Sequence, residues 1–75
     1  MKAQDIEVGG TYAVAWSIRK DRPTEWIRVT VMGEAPNEGW VSNSGRFFVM
    51  FDDGTVRDIC TRDIRKIWDE KEMAA

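Results

Sequence analysis

An all-β fold, five short strands closed as a small barrel with a 3₁₀ turn before the last strand, is what this sequence predicts. Three observations carry it. β-branched and aromatic residues dominate the apolar positions, those positions alternate with a period of two, and turn-forming residues punctuate the chain at short intervals. A chain of 75 residues has room for one domain and too little length for two packed sheets. Closing into a barrel removes exposed strand edges, which a β protein this small needs. The domain is expected to span residues 1–75, with its core in 8–68 and a polar tail in 69–75.

Gly9-Gly10 mark a turn, and Thr11 to Ile18 reads as the first strand. Tyr12, Val14, Trp16 and Ile18 lie on one of its faces, Ala13, Ala15 and Ser17 on the other. Arg19 to Thr24 is a charged loop containing Pro23, which cannot donate to a ladder. In the second strand, Glu25 to Met32, the apolar face is Ile27, Val29 and Val31, and Trp26, Arg28, Thr30 and Met32 point the other way. Gly33 to Gly39 reads as a loop. Trp40 to Phe51 is an interrupted run, with a turn or bulge at Asn43-Ser44-Gly45 and a strand from Arg46 to Phe51. That strand is apolar on both faces, as a central strand is when one side fills the core and the other carries a ligand surface or a loop.

Asp52-Asp53-Gly54 is the sharpest local signal, because a tight hairpin needs the positive φ that a Gly after Asp supplies. Thr55 to Cys60 returns as the fourth strand. Thr61 to Lys66 breaks the alternation and suits a 3₁₀ turn with Thr61 as its cap. Ile67-Trp68 closes the fold as a short last strand, and the tail from Asp69 is expected to fray.

Composition narrows the function. Eleven Lys and Arg against thirteen Asp and Glu, with no His and a net charge of −2, give no general attraction to phosphate backbones. A single Cys excludes an internal disulfide and suits a reducing cytoplasm, with Cys60 a small buried hydrophobe. Met1-Lys2-Ala3-Gln4-Asp5 is not followed by the apolar run of a signal peptide, and no stretch is long enough to cross a bilayer. The expectation is a cytoplasmic protein without a membrane partner.

Without His, the lone Cys has no evident base, and paired carboxylates need a deep, desolvated cleft that so small a barrel rarely supplies. Asp52, Asp53 and Asp58 lack the spacing of a Ca²⁺ loop, and no His or second Cys completes a zinc site. A non-enzyme with no metal and no cofactor is expected.

The order of these segments resembles that of the SH3-like barrels, and among them the Tudor domains. Tyr12-Ala13-Val14-Ala15-Trp16-Ser17 resembles a Tudor first strand, and Glu25-Trp26-Ile27-Arg28-Val29 the second. Phe48-Val49-Met50-Phe51-Asp52-Asp53-Gly54 looks like the third strand and its hairpin, and Asp58 to Ile67 like the closing segment. The likeness covers Val8 to Trp68. It implies an aromatic cage for a methylated Lys or Arg, with Trp16, Trp26 and Phe51 matching three walls. Asp53 stands where a fourth aromatic is usual, and Gly39 to Gly45 is an insertion that many Tudor domains lack. A carboxylate beside the rings favours a cation through charge as well as the ring quadrupole.

Each aromatic also has a plain reading. Trp16 is a cage wall or a core residue on the Tyr12/Val14 face. Trp26 shares its face with Arg28 and Thr30, which favours contact with a partner. Trp40 plugs the barrel end or faces a partner, and Trp68 packs under the closing turn.

Three functions remain open. The first is a protein- or peptide-binding module centred on Trp16, Trp26, Phe51 and Asp53, recognising a basic or methylated side chain. The second is a nucleic-acid accessory protein using Arg19, Lys20, Arg22, Arg62, Arg65 and Lys66 with stacking rings. Interleaved acids, Asp21, Asp52, Asp53, Asp58 and Asp63, make the same segments readable as a solvated surface. The third is a homodimer or assembly component. In style the chain resembles small accessory proteins of bacteria and bacteriophages.

Overall fold

The structure, a computed structural model, describes residues 1–36 and 45–73. Five antiparallel strands form one sheet: β1 Thr11–Val14, β2 Ile27–Ala35, β3 Arg46–Phe51, β4 Val56–Cys60 and β5 Ile64–Ile67. Their spatial order is β4-β3-β2-β1-β5. A 3₁₀ turn, Thr61–Asp63, joins β4 to β5, another, Ala3–Asp5, precedes the sheet, and a single helical turn, α1 Glu70–Met73, follows it. The all-β class and the 3₁₀ turn before the last strand agree with expectation. The sheet is not closed, since β4 and β5 are its two edges. No described helix is long and apolar enough to cross a membrane.

Although β4 and β5 are opposite edges, only the three residues Thr61–Asp63 separate them. The path from Cys60 to Ile64 reaches at most about 14 Å, whereas four strand spacings in a flat sheet are about 19 Å. The sheet must therefore curl, and its concave side becomes the core. Tyr12, Val14, Val29, Val31, Phe47, Val49, Ile59 and Ile64 fill that side together with Ile6, while Ile27 and Phe51 pack partly buried against them. Ile6 reaches the core from the 3₁₀ turn Ala3–Asp5, whose carbonyl at Ala3 accepts from the Ile6 backbone N–H. The Met1 amine donates to the carbonyls of Thr61 (3.2 Å) and Ile64 (2.8 Å), so the first residue clasps the turn between the two edges.

Two glycines carry local geometry. At Gly10 a side chain would meet the Tyr12 ring at 2.8 Å, so only hydrogen fits where the ring lies across the backbone. Gly54 takes φ +87° and ends a three-residue hairpin, with Gly54 N–H donating to Phe51 (2.9 Å) and Phe51 N–H to Thr55 (2.8 Å). This is the left-handed position that the Asp-Gly pair marks.

Several boundaries move. β1 ends at Val14 instead of Ile18, because the Ala15 N–H turns to the Asp63 carbonyl and the Ala15 carbonyl accepts from Arg65 Nε. β2 begins at Ile27 and continues through Gly33, Glu34 and Ala35, which read as loop. A bulge between Val31 and Gly33 keeps the ladder with β3 intact. The last strand starts at Ile64, ahead of the expected Ile67, because a second bulge at Arg65 restores the pairing with β1. Cys60, not Thr61, occupies the N-cap of the 3₁₀ turn, and no side chain caps it; Thr61 is instead fully buried. Cys60 is half-buried. Within the tail expected to fray from Asp69, Glu70–Met73 forms α1. Trp40 and Asn43-Ser44 lie outside the described residues.

Candidate functional site

The pairing of β1 with β2 fixes what surrounds the early tryptophans. Thr11 stands opposite Thr30, Tyr12 opposite Val29 and Val14 opposite Ile27. Carried two residues further, the same register sets Trp16 opposite Glu25, just past the strand ends. There the structure holds an open hollow of about 320 Å³ lined by Trp16, Ser17, Glu25 and Ile27. Trp16 is 47% exposed. Glu25 is exposed, and among the described residues its carboxylate has no hydrogen bond or ion pair. A second hollow of about 200 Å³ adjoins it, lined by Ser17, Arg19, Arg22, Pro23, Thr24 and Glu25. Arg19 is held there by Asp21, with two contacts of 3.1 Å.

Alternation sends Trp26 to the opposite, convex face. There Arg28 and Lys66 flank Ala13 from β2 and β5 in one cross-strand row. Their side chains cross over β1 in opposite senses. Lys66 Nζ lies 4.8 Å from the centre of the Trp26 ring, and the Arg28 guanidinium carbon 5.8 Å from that of Trp68. Ala13 in β1 and Ala15 just past its end have no exposed surface. Carboxylates close the array. Arg28 contacts Asp52 (3.2 Å) and Glu70 (3.0 Å), and Lys66 contacts Glu72. Asp52 first, and Glu70 after it, raise the Arg28 guanidinium above its ordinary value.

The four residues expected to share a site are thus divided. Trp16 fronts a hollow whose lining includes neither Trp26 nor Phe51. Trp26 is half-buried, with the chain's own Lys66 where a guest cation would sit. Phe51 packs partly buried against the core. Asp53 belongs to the hairpin, its Oδ1 accepting from the Thr55 N–H at 2.9 Å, and this bond is the main cause holding its carboxyl below the usual aspartate range.

A pH prediction follows for that turn. Because Asp53 binds its proton less tightly folded than unfolded, it stabilises the fold above the unfolded carboxyl's pKa and loses that contribution as pH falls through the lower, folded value. Urea midpoints measured from pH 5 downward should drop below about pH 4, and Asp53→Asn should flatten that drop. An unchanged slope in the variant would remove Asp53 from the acid sensitivity.

The basic residues are divided as well. Arg19 and Arg22 line the smaller hollow, Arg65 donates to Ala15, Lys66 lies on the convex face, and Lys20 and Arg62 are exposed. Glu25, Glu70 and Glu72 did not stand out in the sequence. Aligning the two early strands by their apolar faces would have found Glu25, since that alignment alone puts it across from Trp16. Nothing local distinguishes Glu70 and Glu72. Comparison of the chain with protein-family models, with curated proteins and with solved structures finds no match.

Proposed function

We propose that this chain is a small non-enzymatic binding module, curled as an SH3-like barrel of the Tudor kind, which takes a basic or methylated side chain of a peptide partner into the hollow between Trp16 and Glu25. The half-exposed Trp16 ring facing a carboxylate without a described partner carries this reading. A ring face attracts a cation through its quadrupole, and the carboxylate adds direct charge attraction. Ile27 at the base gives the aliphatic stem an apolar wall. The strand order and the 3₁₀ link between the edge strands support the barrel reading, because they force the curl that brings the edges together.

An exposed cation–π contact contributes about 0.5–1 kcal/mol, so a cationic side chain should be preferred over a neutral one by about two- to five-fold. The test is an NMR titration with short peptides identical except for one Lys, trimethyl-Lys, Arg or Gln. Saturable shifts at the Trp16 indole and at Ser17 and Glu25 are expected for the cationic peptides. Equal shifts with the Gln peptide, or none at Trp16, would sink the reading.

A further inference from the structure

We propose that the Arg28–Ala13–Lys66 row, with Trp26 and Trp68, is a docking site for an acidic peptide, and that the chain's own segment Asp69 to Glu72 is its internal competitor.

The present occupant supplies the argument. Glu70 and Glu72, two residues apart, each neutralise one cation of the row. Both pairs are water-exposed, with side chains 43% and 63% exposed for Arg28–Glu70 and 38% and 58% for Lys66–Glu72. Pairs of this kind contribute little and exchange readily. Each cation also lies against a tryptophan ring, Lys66 Nζ at 4.8 Å and the Arg28 guanidinium carbon at 5.8 Å from the ring centre, a contact separate from the acidic segment. Lifting the acidic segment therefore leaves two cations facing Asp52 alone, and the local charge changes sign. The Trp68 Nε1–H is buried without a hydrogen-bond partner among the described residues, which makes its resonance a local probe of rearrangement on this face.

An acidic peptide fits better than a nucleic-acid strand. The rings are already covered by cations and are not free to stack on bases. Two cations on a chain of net charge −2 make a poor phosphate track, whereas a pair of carboxylates is what now occupies them.

The experiment compares binding of a fluorescein-labelled hexaglutamate peptide to the full chain and to the full-length E70Q/E72Q variant, by anisotropy at low salt. An oligothymidylate of equal charge is the control. The variant should bind the peptide about five-fold more tightly, as expected from releasing two exposed pairs. Adding R28Q and K66Q should remove the binding. In the wild-type chain, excess peptide should shift the Trp68 indole N–H resonance, a readout that needs no variant to fold. Equal affinity for wild type and E70Q/E72Q, binding that survives loss of both cations, an unmoved Trp68 signal, or preference for the oligothymidylate would each overturn the proposal. None of these readouts passes through Trp16, so the outcome is separable from that of the cation titration.

Discussion

Ile64→Ala is expected to lower the unfolding free energy by about 2–5 kcal/mol, most of what a domain this size has to spare. Ile64 has no exposed surface. It opens β5 directly after the 3₁₀ turn, stands opposite Val14, and its carbonyl receives the Met1 amine. One side chain thus packs the point where the 3₁₀ turn leads from β4 into β5. A cavity there is hard to collapse, because β1 and the turn are tied on both sides by backbone hydrogen bonds. Ile67→Ala is the control. It removes the same atoms from the same strand, but Ile67 is 64% exposed, so a change within about 0.5 kcal/mol is expected. Urea unfolding of both variants checks this. Similar losses for the two, or less than about 1 kcal/mol for Ile64, would mean that β5 does not seal the core.

The second large effect is a reciprocal pair. Trp16→Ala should abolish measurable binding of the trimethyl-Lys peptide and leave the unfolding midpoint nearly unchanged, since the ring stands in water at the mouth of an open hollow. Trp26→Ala should do the reverse. Its ring is half-buried and lies 4.8 Å from Lys66 Nζ, so its loss removes buried apolar area and one of the ammonium's partners, Glu72 being another. A loss of about 1–3 kcal/mol is expected there, with peptide binding at Trp16 kept. Thermal melts and the NMR titration, run on both variants, separate the two roles. Binding lost equally in both would place the tryptophans in one shared cage after all.

Much of the fold was legible locally. β3 occupies the expected residues Arg46 to Phe51, and the Asp-Gly hairpin and the 3₁₀ turn fall where turn chemistry and broken alternation put them. The site was less legible, for a specific reason. Position along a strand identifies Trp16 and Trp26 as aromatics near strand ends, and alternation sets Trp16 on the apolar side of β1 but Trp26 away from that of β2. The register Val14 opposite Ile27 aligns those apolar sides and so puts the two rings on opposite faces of the sheet, which the expected shared cage had set aside. Asp53 looked like a cation-selecting acid, yet the backbone N–H of Thr55 claims it. Glu25, unremarkable in sequence, is the carboxylate beside the ring.

What the amino-acid order determined by itself was the strand character of the segments, the apolar side of each, and the places where the chain must reverse. Those follow from interactions between near neighbours, namely steric preferences, alternation and the φ that glycine permits. Tertiary structure alone decided the two bulges, the extension of β2 to Ala35 and the docking of α1 through Glu70 and Glu72. It also decided which aromatics remain open to a guest. Each of these rests on pairing between residues far apart in the chain, where a shift of one position exchanges the faces of a whole strand.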